Sequence, residues 1–377
     1  MYKLYMLLCL VLISSCKNEE SKTVYSNSNG EVVPVEYAKG FEIKQFEGYK
    51  LLVVNDPWPK ADKSFTYLLV EKGANIPTEV QYDQKVDIPV QKIVVTSTTH
   101  IPSIEILNEE QSLVGFPGLD YISSNKVRTR ISKGLVTELG QNESINTEIL
   151  ISLDPDLVIG FAIDGNNKTF NTIQKSGIPV IYNGDWTEES PLGKAEWIKF
   201  FGAFYDKDEL ASLKFNEIRD SYLESIELAK DANISPTVLS GSMYKDQWYV
   251  PYGNSWQAQF IQDANANYIY KDTKGSGSIA LSFESVLDKS KDAAYWVAPG
   301  QFQSFQQLLE TSSHYKQFKA VHDKKVFTYS NSLGTSGGVL YYELAPTRPD
   351  LVLKDLISIF HPELLPDYQP TFFKVLQ

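Results

Sequence analysis

Two stretches of this sequence share an arrangement that implies a duplicated fold. They are INTEILISLDPDLVIG at 145–160 and SFESVLDKSKDAAYWVAPG at 282–300. In each, a glutamate (Glu148 or Glu284) opens a short amphipathic helix, a polar break follows, and an apolar run then has the pattern of a buried parallel strand. Two related halves are therefore expected, each with one exposed carboxylate at a matching position. The helix dipole alone also favours an acid at a helix start.

The N-terminus has the pattern of a secretory signal peptide over residues 1–15. Its apolar stretch is too short for a membrane span and ends in small residues before Cys16. This ending resembles a bacterial lipobox and predicts lipidation of Cys16, whereas an ordinary signal peptide with an incidental cysteine is the alternative. The other cysteine, Cys9, lies in the segment to be removed, so no disulfide is expected. Residues 16–30 are polar and predict a flexible tether.

Length and charge limit the classes of protein that this chain can belong to. Its 377 residues exceed what one hydrophobic core usually serves, so two lobes are expected. The net charge of −12 argues against nucleic acid and anionic membrane surfaces as partners. The four histidines are scattered along the sequence, which argues against a site for bare zinc or manganese. No Walker A loop or GxGxxG motif after a strand occurs, so no nucleotide hydrolysis is expected.

Strand and helix patterns divide the rest of the chain into four segments. Residues 31–90 run or alternate apolar between Gly, Pro and Asp breaks and predict a β-rich extension of antiparallel strands. Residues 91–190 and 231–377 alternate short apolar strands with helical windows, which predicts two α/β lobes. Residues 191–230 predict one long connecting helix. The expected fold is α/β, with a mainly parallel sheet flanked by helices in each lobe.

Several of these segments carry a family resemblance. KIVVTST at 92–98, the phrase at 146–160, SFESVL at 282–287 and RPDLVLKDLISIFHPELLP at 348–366 together resemble the periplasmic binding proteins of ABC importers for iron complexes and cobalamin. The phrase at 146–160 is the most specific element. The resemblance implies two α/β lobes joined by one long helix, with a siderophore, haem or cobalamin held between them, and no enzymatic activity.

The resemblance also implies a docking role for the two glutamates. In that family a glutamate on each lobe enters arginine pockets of the two permease subunits, and the matching positions here are Glu148 and Glu284. Two carboxylates on separate lobes suit bidentate arginine on a two-fold partner. The implied partners are a permease dimer with its ATPase and the membrane that holds the lipid on Cys16. The implied location is the cell envelope, facing the periplasm, on either the inner or the outer membrane.

Candidate ligand contacts come from loops at the carboxyl ends of the parallel strands, where open α/β sheets place their sites. Aromatic side chains there suit a large flat or ring-bearing ligand, although packing against the sheet is the alternative for each. The candidates are His100, Tyr121, Trp186, Tyr244, Trp248, Tyr252 and Trp256. His100 and Tyr121 are residue types that bind iron within a complex. No metal site or cofactor of the protein itself is expected.

Two other functions remain as alternatives. Residues 334–338, Gly-Thr-Ser-Gly-Gly, match the GxSxG nucleophile elbow, and Asp350 or Asp355 and His361 follow in hydrolase order. Esterase activity at Ser336 is the lesser hypothesis, because the preceding predicted strand ends too early and the glycines also permit a simple tight loop. The second alternative keeps the fold but makes the chain a surface-exposed lipoprotein that captures ligand for an outer-membrane uptake system.

Overall fold

The computed structural model describes residues 30–55, 57–61, 63–142, 144–165 and 167–377. The predicted signal peptide, nearly all of the predicted tether and Cys16 lie outside these ranges. Residues 31–377 form one compact unit. Within the described ranges, no helix has both the length and the apolar character needed to cross a bilayer.

The N-terminal extension is a five-stranded sheet with strand order β1-β2-β3-β4-β5. The strands are β1 (Glu31–Val32), β2 (Phe41–Phe46), β3 (Tyr49–Val54), β4 (Phe65–Glu71) and β5 (Gln84–Ile88). The first four pair antiparallel, as the sequence predicts, whereas β5 runs parallel to β4. A parallel neighbour requires a crossover connection, and in the chain between β4 and β5 Ile76 and Val80 pack against the cluster of Tyr49, Leu51, Leu68 and Val70 on one face of the sheet. The other face shares its core with the first lobe.

The first lobe contains a five-stranded parallel sheet with strand order β12-β11-β6-β7-β8. Its elements are β6 (Ile93–Val95), α1 (His100–Ile106), β7 (Leu113–Phe116), α2 (Asn125–Ser132), β8 (Thr137–Glu138), β9 (Gly140–Gln141), β10 (Ser144–Ile145), α3 (Thr147–Leu153), β11 (Leu157–Gly160), α4 (Lys168–Lys175) and β12 (Val180–Tyr182). Every residue of β6, β11 and β12 is buried. Helices on both faces of a parallel sheet explain these continuous apolar runs.

The connection between the lobes consists of three helices: α5 (Pro191–Glu196), α6 (Ile198–Phe204) and α7 (Asp208–Ala229). The prediction of a single helix over 191–230 is therefore wrong, although α7 alone is a long connecting helix of 22 residues. The chain turns at Asp206, whose φ is +54°, and α6 packs back on α7. Every residue of α5 and α6 is buried. Because neither helix has an exposed polar face, the sequence pattern does not show where one helix ends and the next begins.

The second lobe contains a mainly parallel sheet with strand order β16-β13-β18-β19-β20 and a separate antiparallel sheet, β14-β15-β17. Its elements are β13 (Thr237–Ser240), β14 (Ser242–Tyr244), β15 (Gln247–Pro251), α8 (Trp256–Asp263), β16 (Asn267–Tyr268), β17 (Ser278–Leu281), α9 (Phe283–Ser290), β18 (Tyr295–Val297), α10 (Phe305–Thr311), α11 (Lys319–His322), β19 (Val326–Thr328), α12 (Leu340–Leu344), α13 (Pro349–Phe360) and β20 (Lys374–Val375). Only β20 runs antiparallel in the larger sheet.

The two lobes share a topology. Four parallel strands of each lobe, β6, β7, β11 and β12 in the first and β13, β16, β18 and β19 in the second, occur in the spatial order fourth, third, first, second. Helix α3 with Glu148 and helix α9 with Glu284 each lead into the third strand of the set. The similar phrases of the sequence therefore occupy equivalent places in two related lobes.

A buried carboxylate anchors the start of the extension. Glu196 accepts hydrogen bonds from the backbone N–H groups of Glu36, Tyr37 and Ala38, at 2.7 to 3.0 Å, and pairs with Lys199 at 2.7 Å. Its side chain has no exposed surface. Removing the carboxylate takes the acceptor from all three N–H groups and the counter-charge from Lys199, which then donates only to the Pro34 carbonyl at 2.8 Å.

We expect Glu196→Ala to lower the free energy of unfolding by about 3–5 kcal/mol, because three backbone N–H groups lose their acceptor and the buried Lys199 ammonium keeps only the Pro34 carbonyl. Urea unfolding followed by circular dichroism measures the change. Glu227→Ala, which removes an exposed partner of Lys230, is the matched control and is expected to change stability by less than about 1 kcal/mol. Equal effects of the two substitutions would contradict this account.

Candidate functional site

A cleft of about 510 Å³, here the central cleft, lies between the lobes. The first lobe lines it with residues 96–98 after β6, residues 116–118 after β7 and Phe161 after β11, and the second lobe with Val339 and Tyr342. The first-lobe residues all follow strands of one parallel sheet, so they gather at its carboxyl edge. This edge is where open α/β sheets bind ligands.

Glu138 fixes the loops of the first-lobe wall. Its carboxylate accepts the N–H groups of Gly118, Leu119 and Gly140, each at 2.8 Å. Partial burial opposes ionisation, but these backbone donors prevail and hold the pKa of Glu138 below its usual value. Gly118 has a φ of +81°, a conformation that favours glycine. The wall is thus preformed around an ionised carboxylate.

Two tyrosines from opposite lobes line the central cleft. Tyr121 is 71% exposed and Tyr342 is 46% exposed. The ring of Tyr342 packs edge-on against Tyr329 with centroids 5.5 Å apart, and Tyr329 stacks on Tyr341 at 4.2 Å. The exposed phenol of Tyr342 is therefore mounted on a rigid aromatic base. Sequence reasoning missed Tyr342, because LYYEL after β19 has the composition of an ordinary core helix.

A second space of about 660 Å³, here the tryptophan cavity, is bounded by three parts of the molecule. The extension contributes residues 39–40 and 58–60, the first lobe contributes 186–189 after β12, and the second lobe contributes 254–257 and 275–278. Phe161 of the central cleft packs edge-on against Trp186, with ring centroids 5.4 Å apart. The two spaces are therefore neighbours, and residues 31–90 form part of a cavity wall.

Glu148 and Glu284 occupy equivalent, exposed positions. Each is the second residue of its helix, after a capping residue whose side chain accepts a backbone N–H: Asn146 from Ile149 at 3.0 Å and Ser282 from Ser285 at 3.2 Å. Because the caps satisfy these N–H groups, the two glutamates are not needed as helix caps. The positions suit contacts with another molecule.

Comparison with known proteins decides the family. The sequence profile described as periplasmic binding protein matches residues 93–333. The chain belongs to the periplasmic binding protein family. An uncharacterized lipoprotein of Methanocaldococcus jannaschii is 28% identical over 364 residues, which is 93% of this chain and 82% of that protein.

Solved structures share the fold of this periplasmic binding protein. A periplasmic binding protein from Veillonella parvula matches with a TM-score of 0.59 and 14% identity, over 86% of this chain and 95% of its own. A possible iron-binding protein from Staphylococcus epidermidis matches with a TM-score of 0.57 and 17% identity, over 72% and 99%. The periplasmic haem-binding protein of Vibrio cholerae matches with a TM-score of 0.54 and 15% identity, over 70% and 99%. The predicted two-lobe α/β fold is thereby confirmed.

The predicted ligand contacts of this periplasmic binding protein fall into different places. Tyr121 lines the central cleft, and Trp186 and Trp256 line the tryptophan cavity. Tyr252 is half-buried and packs so closely on Gly275 that a Cβ there would lie 2.5 Å from its ring. Tyr244 is 64% exposed on β14, outside the residues lining either space.

Two predicted contacts, His100 and Trp248, need correction because both are fully buried. Trp248 points to the inward face of β15 and packs on Trp296 and Phe318, with centroids 5.1 and 5.4 Å away. His100 opens α1 and packs on Phe201. Burial lowers the pKa of His100 to about 4, so the ring is neutral at neutral pH. As placed, neither side chain presents surface to a ligand.

The side chains of the esterase alternative do not form a triad. The Ser336 hydroxyl donates to the carbonyl of Ile122 at 3.1 Å. His361 lies with Nε2 3.0 Å from the carbonyl oxygen of Ala264. Asp355 accepts the N–H groups of residues 371–373, and Asp350 pairs with Arg348. Across the described ranges, no group of three His, Cys, Asp or Glu side chains is placed to hold a metal ion.

A buried glutamate joins the lobes beside the central cleft. Glu343 of α12 accepts the N–H groups of Ser123 and Ser124, at 2.6 and 2.9 Å. These groups lie at the start of α2 in the first lobe. Burial raises the pKa of Glu343 to about 7 despite the two donors, and the neighbouring Glu105, which accepts the Ser124 hydroxyl, adds to the rise. This contact is here called the lobe latch.

The contribution of Glu343 to the free energy of unfolding is expected to fall as pH rises. A carboxyl whose pKa is raised in the folded state binds more protons there than in the unfolded chain, so its contribution to stability falls between the ordinary pKa near 4.5 and about 7. We expect Glu343→Gln to remove this part of the pH dependence. Urea unfolding of both proteins from pH 5 to pH 8 measures it, and parallel stability curves would contradict the assignment.

Proposed function

We propose that this protein captures an iron complex, either a siderophore or haem, or cobalamin, and delivers it to the permease of an ABC importer. The observation that carries the proposal is the central cleft, which lies at the carboxyl edge of a parallel sheet and is lined by Tyr121 of the first lobe and Tyr342 of the second. Membership of the periplasmic binding protein family supports it. The haem-binding protein of Vibrio cholerae shows that the same fold serves such a ligand in another protein.

The chemistry of the cleft walls suits such a cargo. Phe161 and the two tyrosines supply ring surfaces for stacking, and Ser97 and Thr98 supply hydroxyl groups for hydrogen bonds. A phenolate oxygen is also a ligand for ferric iron. The iron would arrive as part of the bound complex, and the protein would act on no bond of it.

The positions of Glu148 and Glu284 support the proposed delivery. One exposed carboxylate on each lobe offers two anchors for arginines of a two-fold permease. Helix α7 joins the lobes without a loop-only hinge, so we expect modest lobe motion. Lipidation of Cys16 would hold the protein at a membrane, facing the periplasm, and the lipoprotein relative in Methanocaldococcus jannaschii supports this.

The ligand is tested by titrating the mature domain with haem, cyanocobalamin, a ferric tris-catecholate and a ferric trihydroxamate, following tryptophan fluorescence. We expect one probe to bind, and Tyr342→Ala to weaken it about tenfold by removing a stacking contact. Tyr82→Ala, which removes another exposed tyrosine, is the matched control. Silence of the wild-type protein with all four probes would overturn the proposed cargo.

The docking role is tested with the double variant Glu148→Ala and Glu284→Ala. We expect it to bind ligand as the wild type does and to lose stimulation of the importer ATPase in reconstituted vesicles, because both arginine anchors are gone. The control is Glu224→Ala with Glu310→Ala, which removes two other exposed carboxylates. Loss of ligand binding in the Glu148→Ala and Glu284→Ala double variant, or full stimulation of the importer ATPase by it, would contradict the docking role.

A further inference from the structure

The partly exposed tryptophans of this protein occur in one place. Of its six tryptophans, Trp58, Trp197, Trp248 and Trp296 are buried, whereas Trp186 and Trp256 are half-buried. Both half-buried indoles line the tryptophan cavity. An indole partly in water forgoes some of the free energy that its burial would provide. A partner that covers both rings would recover it.

A buried lysine contacts the backbone of Trp186 and the ring of Trp256. The Lys194 ammonium donates to the carbonyl oxygens of Asp185 and Trp186, at 3.1 and 3.3 Å, and lies 5.3 Å from the ring centroid of Trp256. Trp186 belongs to the first lobe and Trp256 begins helix α8 of the second. One cation therefore joins the loop that carries Trp186 in the first lobe to the Trp256 ring of the second.

The extension closes the same cavity with a wall that is held rigidly. Glu188 accepts the N–H groups of Lys39 and Gly40, both at 2.9 Å, and the indole N–H of Trp197 at 3.0 Å. A Cβ on Gly40 would lie 2.8 Å from the Trp197 ring, so this close approach requires glycine. The family profile begins at residue 93, after the extension. The wall is thus an addition to the part of the chain that the profile covers.

We propose that the tryptophan cavity is a second ligand compartment, in which the extension and both lobes enclose a planar ring group of the cargo against Trp186 and Trp256. The proposal rests on the proposed function and narrows it to a cargo with more than one ring group. One group would occupy the central cleft and another the tryptophan cavity, which meet at the Phe161–Trp186 contact. Asn254, Ser255 and Gln257 would bond the polar substituents of the second group.

The test measures binding by calorimetry, using whichever of haem, cyanocobalamin and the ferric tris-catecholate binds the wild type most tightly. Trp256→Ala removes one indole, and Pro59→Trp fills the compartment from an exposed position on the extension. We expect each to weaken binding about tenfold. Trp256→Phe is expected to restore most of the affinity. The control, Lys72→Trp, adds an indole at an exposed position of the extension outside the cavity and should leave binding unchanged.

Pro59→Trp keeps the test decisive if Trp256→Ala misfolds. Suppose that Tyr342→Ala weakens binding of the probe, while Pro59→Trp and Trp256→Ala bind it as tightly as the control does. The second compartment is then overturned and the proposed function stands. If only the ferric trihydroxamate, which carries no aromatic ring group, binds the wild-type protein, the compartment is overturned and the proposed function stands. If none of the four probes binds, the proposed function fails, and the compartment fails with it.

Discussion

Buried carboxylates that accept several backbone N–H groups hold the distant segments of this chain together. A carboxylate removed from water is costly unless its lone pairs are satisfied, and charge-assisted bonds to N–H groups satisfy them. Each such acid therefore holds in place the segment whose N–H groups it accepts. The residues are Glu196 and Glu188 for the extension, Glu343 for the lobe latch and Asp355 for residues 371–373. Both cysteines of the chain precede residue 17, so these contacts, rather than disulfides, link the distant segments of the described part of the chain.

These anchors explain why both cavities have preformed walls. Glu138 fixes the loops of the central cleft, and Glu188 fixes the extension beside the tryptophan cavity. The lobes are held together in two ways: helix α7 connects them along the chain, and Glu343 of the second lobe contacts the first. Binding to a preformed site costs little ordering of loops, which leaves more of the contact free energy for affinity. The arrangement is consistent with the proposed capture and delivery of a ligand with small lobe movements.

The duplicated topology gives the two lobes equivalent outer features but different inner ones. Glu148 and Glu284 precede the same strand of the shared order. The inner surfaces differ, because the second lobe inserts the β14-β15-β17 sheet and the first lobe carries the extension. Two exposed glutamates at equivalent positions suit the proposed two-fold partner, whereas inner surfaces that differ suit a ligand without symmetry.

The sequence by itself determined the local and repeated features. Apolar strand runs, the Glu148 and Glu284 phrases and the two-lobe α/β class depend on periodicity within short windows, which sequence shows directly. Tertiary structure alone decided burial. The same aromatic residue types became core at Trp248 and cavity wall at Trp256, and Tyr342 and the break at Asp206 escaped notice, because each depends on what distant segments pack there. The role of the extension was likewise decided by contacts across more than 140 residues of chain, such as Gly40 with Glu188, which no local pattern encodes.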